Sequence, residues 1–140
     1  MDYRKLAEEF LVHMYLFRKN RPQKRIYDSL QGEAFALHSI VSSGDTTPSE
    51  ISEDIELSGA RVAAILNSLE NKGYITRQID KSDRRRILVT ITEAGKIKEM
   101  EYRNEIINLT VAMLKRLGDK DAGEYIRITK KLVDLSNNNN

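Results

Sequence analysis

Apolar side chains recur at three- and four-residue intervals along the first half of this chain, alternate briefly beyond its midpoint, and then return to the helical spacing. Leu6, Phe10, Met14 and Phe17 mark an amphipathic helix near Tyr3 to Lys19, which Pro22 ends soon after. A second helix is predicted from about Gly32 to Ser43, burying Ala34, Leu37, Ile40 and Val41, with Ser43 to Asp45 as the following loop. Thr47, Pro48 and Glu50 then fall in the order of cap, first-turn proline and third-position glutamate, a capping-box start for a short third helix ending near Ile55. Ser58 caps a fourth helix whose Val62, Ile65, Leu66 and Leu69 share one face, and Gly73 closes it. The tight link from Glu56 to Ser58 fits a helix-turn-helix connection.

Past Gly73 the period shortens to two. Tyr74 to Ile79 and Ile87 to Ile91 read as paired strands, and Asp80 to Arg86 as the tip of their hairpin. From Thr92 onward Ile97, Met100, Asn104, Ile107, Val111 and Leu114 form a near-heptad stripe on a helix of at least about five turns. Gly118 stops it, and a last helix from Asp119 carries Tyr125, Ile128, Leu132 and Leu135 on one face. The Asn137 to Asn140 run has nothing to bury and is expected to be a disordered tail.

Composition narrows the chemistry. The chain has 140 residues and no cysteine, which removes disulfides, thiolate metal sites and cysteine-based catalysis or redox sensing together. Its two histidines, His13 and His38, have no close histidine partner and read as ordinary helix residues, so no metal and no cofactor is expected. There is no nucleophile elbow, no glycine-rich phosphate loop and no glutamate–histidine metal motif, so no enzyme is expected. No apolar run approaches the length of a membrane span and no secretory leader is read at the start, which points to a soluble, cytoplasmic protein without membrane contact.

Charge is sorted along the chain although the formal net value is only +2. Arg18, Lys19, Arg21, Lys24 and Arg25 form an acid-free basic segment, a candidate phosphate contact although solvation alone accounts for it. Arg77, Lys81, Arg84, Arg85 and Arg86 outweigh Asp80 and Asp83 in the hairpin, whereas Asp45, Glu50, Glu53, Asp54 and Glu56 make the third helix acidic. A projecting ribbon that ends in three arginines suits DNA: one guanidinium can enter a narrow minor groove while its neighbours hold phosphates. Asp83, repelled by DNA on its own, is expected to orient an adjacent arginine. On the fourth helix Ser58, Gly59, Ala60, Arg61, Ala63, Ala64, Asn67 and Ser68 lie on or beside the outward face, and no acid precedes Glu70. Short side chains permit close approach to base edges. Thr47 and Ser49 could meet a phosphate, with capping as the plainer account of Thr47.

These residues resemble the MarR family of bacterial winged-helix regulators. The similarity is clearest from Leu57 to Gly95, where Gly73, Arg77, Asp80, Asp83, Arg84, Arg85, Thr92 and Gly95 match the family pattern. The resemblance implies a mainly α (α+β) fold: a winged helix-turn-helix at 32–95, a dimerisation helix and basic linker at 1–31, and dimerisation helices at 96–136. It further implies a nucleoid-associated repressor that binds a pseudo-palindromic double-stranded operator as a homodimer, its recognition helices about 34 Å apart in successive major grooves. Asp83 and Arg85 match the wing pair in which the acid orients the arginine, and Ser58, Gly59, Ala60, Arg61, Ala63 and Ala64 match the base-reading stretch.

Leu6, Phe10, Phe17, Val111, Leu114, Tyr125, Ile128 and Leu132 are the expected dimer contacts. Ala63 and Ala64 depart from the family pattern, which shifts direct readout toward Arg61 and shape readout toward the wing. The resemblance leaves a small phenolic or aromatic effector, or none, with His13, Tyr15 and Tyr27 as pocket-lining candidates beside a plainer role in packing. The competing reading is a winged-helix protein-interaction module that does not bind DNA and whose acidic third helix meets a basic partner; Ala63 and Ala64 favour it.

Overall fold

The computed structural model describes residues 1–19, 24 and 32–138. In chain order these form α1 (Tyr3–Lys19), α2 (Glu33–Ser43), α3 (Pro48–Ile55), α4 (Gly59–Asn71), β1 (Ile75–Ile79), β2 (Ile87–Ile91), α5 (Glu93–Leu117) and α6 (Asp119–Asn137). The chain divides into two compact units, Met1–Ile106 and Ile107–Asn140.

The core of the first unit lies among α2, α3, α4 and the hairpin. Leu37, Ile40, Ile51, Val62, Leu66, Leu69, Ile75 and Val89 are fully buried in it, each worth about 1.5–3 kcal/mol of apolar burial. Sequence periodicity misassigned the edge of α2: Val41 is exposed and Ala34 half-buried, while Ala36 and Ser39 are buried instead. Ser39 is tolerated inside because its hydroxyl donates to Asp54 on α3.

Local chemistry sets the element ends. Thr47 and Glu50 close a reciprocal capping box, with the Thr47 hydroxyl accepting from Glu50 N at 3.2 Å and Glu50 Oε2 accepting from Thr47 N at 3.0 Å. Glu56 ends α3 in the left-handed region at φ 52°, and Ser52 Oγ donates to Leu57 O across the turn at 2.5 Å. At the far end of α4, Ser68 Oγ and Lys72 Nζ donate to Glu33 at 2.5 and 2.8 Å, tying α4 to the start of α2.

β1 and β2 are antiparallel, with Ile75 opposite Ile91 and Ile79 opposite Ile87. Thr46 adds an isolated bridge to Val89, so the segment before α3 is stitched to the hairpin base. Tyr74, expected in the first strand, lies just before it: its N bonds back to Leu69 O and its carbonyl accepts from Thr92 N at 3.1 Å.

α5 begins against this turn. Thr92 Oγ1 donates to Gly73 O at 2.7 Å and accepts from Gly95 N at 3.0 Å. A Cβ at Gly95 would stand 2.0 Å from Tyr74 O, so only glycine permits the approach. The face of α5 that meets the core therefore carries Gly95, Glu99 and Tyr102, whereas Ile97, Met100, Asn104 and Ile107 of the near-heptad stripe are exposed. Buried Glu99 accepts from His38 Nδ1 at 3.1 Å and lies 3.8 Å from Arg103 Nε.

In the second unit α6 runs through Asn137, one residue into the run read as a disordered tail; Asn139 and Asn140 lie outside the described residues. Among the described residues neither α1 nor α6 has a buried side chain.

Candidate nucleic-acid interface

The interface is built from α4 and the hairpin that follows it. Ser58 starts α4 by accepting from Arg61 N at 3.3 Å, which directs the first turn outward. Val62, Leu66 and Leu69 anchor the inward side. The opposite side exposes Gly59, Ala60, Arg61, Ala63, Ala64 and Asn67, with no acid among them. That surface is neutral apart from one guanidinium.

At the hairpin tip two acids shape the backbone for the arginines. Asp80 Oδ1 accepts from Ser82 N and Oγ at 2.9 and 2.7 Å, bonds that hold the Asp80 carboxyl below the usual range. Asp83 Oδ1 accepts from Arg85 N at 3.1 Å and from Arg85 Nε at 3.5 Å. The Arg85 side chain is nonetheless 92% exposed, directed rather than confined. Arg61, Lys81 and Arg84 are exposed and make no side-chain hydrogen bond or ion pair among the described residues.

Other sequence-selected residues are committed within the protein. Arg77 forks onto Glu70 through Nε and Nη2 at 3.0 and 3.1 Å, and Nη2 also donates to Asn67 Oδ1 at 2.7 Å. Those hydrogen bonds keep the Glu70 carboxyl below its ordinary range and raise the Arg77 guanidinium above its own. Arg86 turns back toward α3, 3.5 Å from Glu50. The Thr47 hydroxyl is taken up by its cap and the residue is only 8% exposed, so Ser49 is the exposed hydroxyl at that end.

Sequence reasoning missed Glu70 and Glu50 as partners of these arginines. Neither carries a local signal, because Glu70 and Arg77 meet only once the Gly73 turn folds β1 back along α4. Of the basic segment that begins in the last turn of α1, Arg18, Lys19 and Lys24 are exposed, while Arg21 and Arg25 lie outside the described residues, as does Tyr27. The remaining effector candidates, His13 and Tyr15, are exposed on α1, where Lys19 Nζ sits 4.8 Å from the Tyr15 ring centroid.

An outward helix after a tight turn, followed by an arginine-tipped ribbon, is the arrangement of a winged-helix DNA-binding domain. The family model of that description matches residues 33–110. The HTH-type transcriptional regulator YwhA of Bacillus subtilis is 30% identical over 143 residues, covering 95% of this chain and 99% of the relative. The HTH-type transcriptional repressor MdtR of the same organism is 29% identical over 125 residues, covering 86% of this chain and 81% of the relative. In fold, the chain is similar to a MarR family protein from Bacillus stearothermophilus, with a TM-score of 0.72 at 19% identity over 98% of this chain and 99% of that one. The chain belongs to the winged-helix family of HTH-type transcriptional regulators and shares its fold with MarR family proteins.

Proposed function

We propose that this regulator is a repressor that binds a pseudo-palindromic operator as a homodimer. The observation that carries the DNA half is the pairing of an acid-free, small-residue face on α4 with a hairpin tip whose Arg84 and Arg85 extend into solvent. Arg85 enters the minor groove, Arg61 reads a base edge, and Lys81 and Arg84 hold phosphates. Ser58, Gly59, Ala60, Ala63 and Ala64 bring the helix close to the bases, and Ser49 meets the backbone. Arg86, half-exposed beside Glu50, joins the phosphate contacts by leaving that carboxylate.

Support for pairing comes from α1 and α6, helices of 17 and 19 residues in which no described side chain is fully buried. Leu6, Phe10, Phe17, Val111, Tyr125, Ile128 and Leu132 are all exposed, and Leu114 is half-buried. Apolar surface on this scale is costly in water, and a two-fold copy is the commonest partner that covers it. The segments 1–31 and 96–136 are accordingly assigned to pairing and 32–95 to DNA. Repression is the sign borne by the name of the relative MdtR. Acting on DNA assigns the protein to the nucleoid of the cytoplasm.

Selection from a pool of random duplexes tests the reading. Two inverted half-sites with centres about 10 base pairs apart are expected. Enrichment of no half-site would favour the protein-interaction alternative and overturn this one.

A further inference from the structure

Asn67 follows Ala60, Ala63 and Ala64 along the exposed face of α4 and brings to it an amide where those three bring methyl groups. Its conformation is set from outside the helix. Arg77, on β1, donates to Asn67 Oδ1 at 2.7 Å, while the same guanidinium is forked onto both Glu70 oxygens at 3.0 and 3.1 Å. Arginine carries donors and no acceptor, so only the amide oxygen of Asn67 can face it. The fork fixes the guanidinium plane, and that plane fixes the amide. The amide nitrogen, with two N–H groups, is then turned away from the oxygen that Arg77 holds.

We propose that Arg77 is a positioning residue, not a DNA contact: it locks Asn67 so that α4 presents the amide N–H groups to the duplex in one fixed orientation. This rests on the DNA-binding reading above. An asparagine recognises adenine by using its oxygen and nitrogen together, accepting from N6 and donating to N7. Arg77 takes one of the two lone pairs of the oxygen and fixes the amide plane, so the N–H groups are aimed at an acceptor on the duplex: a purine N7, guanine O6, thymine O4 or a phosphate oxygen. The clamp also makes the reading helix and the base of the hairpin one unit, since its members come from both.

The test uses the full-length protein and the duplex that wild type enriches from a random pool, with single-base-pair variants of that duplex titrated by fluorescence anisotropy at constant salt. Asn67→Ala, Arg77→Met and the double variant form a cycle. The expected result is a loss of about tenfold for each single variant, the cost of one mismatched base pair, with the double variant no worse than either. Loss of preference at one shared base pair identifies a base acceptor; an equal loss on every duplex identifies a phosphate, and both outcomes support the clamp.

Additive losses would mean that Arg77 touches the duplex itself, and would overturn the proposal. Should Arg77→Met melt early, Asn67→Asp carries the test, because it keeps the acceptor for Arg77 and removes both donors. Unchanged binding by Asn67→Asp overturns the proposal. Wild type enriching no duplex at all overturns the DNA-binding reading, and the clamp falls with it.

Discussion

Replacing Gly95 by alanine should destabilise the protein although alanine is the better helix former. The added Cβ would sit 2.0 Å from Tyr74 O, 2.9 Å from Tyr74 C and 2.6 Å from Ile91 Cδ1, where ordinary contact begins at 3.4 Å. Ile91 can rotate away, but the Tyr74 carbonyl is backbone, fixed by its bond from Thr92 N at 3.1 Å. The start of α5 must therefore move off the turn by more than an ångström. Overpacking of this kind costs about 1–3 kcal/mol. Loosening the Thr92 bonds to Gly73 O and Tyr74 O adds about 1 kcal/mol each. Alanine's helix propensity offsets about 1 kcal/mol.

The net loss is about 2–4 kcal/mol, a fall in Tm of about 7–14 °C for a chain of this size. Thermal unfolding followed by circular dichroism, at matched protein concentration, measures it. Gly59→Ala is the internal control, since its Cβ would meet nothing within 4 Å. Melting of Gly95→Ala within about 2 °C of wild type would refute the steric account.

Other consequences follow from the same geometry. Thr47→Ala removes one half of the capping box and should cost about 1 kcal/mol in chemical denaturation without changing the affinity of folded protein for DNA. Phe10→Glu on α1 or Leu132→Glu on α6 puts a charge on an apolar face exposed in the single chain, so sedimentation should report monomer for either variant and dimer for wild type. Among the described residues four glutamates are held below their ordinary range: Glu33 by Lys72 and Ser68 against the cost of its burial, Glu50 first by Thr46 and Thr47, Glu70 first by Arg77, and Glu124 first by Arg127. Their ionised forms favour the folded state, so this contribution is complete above the ordinary glutamate value of about 4.3 and drains away as pH falls through the lower folded values. The urea midpoint should accordingly fall as the solution is acidified below about pH 4.5, and a rising midpoint would contradict the pairing.

Much of the fold was legible because its signals are local. Thr47, Pro48 and Glu50 announce the start of α3, and Ser58 and Gly73 bracket α4, since caps and turns depend on a few neighbouring residues. Burial was harder to read. The apolar pattern of α2 put Val41 inside where Ser39 belongs, because periodicity does not reveal that Asp54 waits across the interface to satisfy a hydroxyl. On α5 the eye follows the apolar stripe, yet the surface that meets the core is made by Gly95, Glu99 and Tyr102. Composition of the wing was readable, but the division of labour among its arginines was not. Arg85 extends, Arg86 leans on Glu50 and Arg77 is clamped by Glu70, distinctions set by residues that meet only in three dimensions.

The most direct measurement is the affinity of the dimer for its selected duplex as a function of salt, for wild type and Arg85→Ala. If each dimer neutralises about six to ten phosphates, wild-type affinity should fall by about a thousandfold or more between about 50 and 200 mM salt. Arg85→Ala should cost about 1–3 kcal/mol on A·T-flanked sites while leaving Tm unchanged. A flat salt profile, or Arg85→Ala binding as tightly as wild type, would contradict a cationic wing docked on DNA.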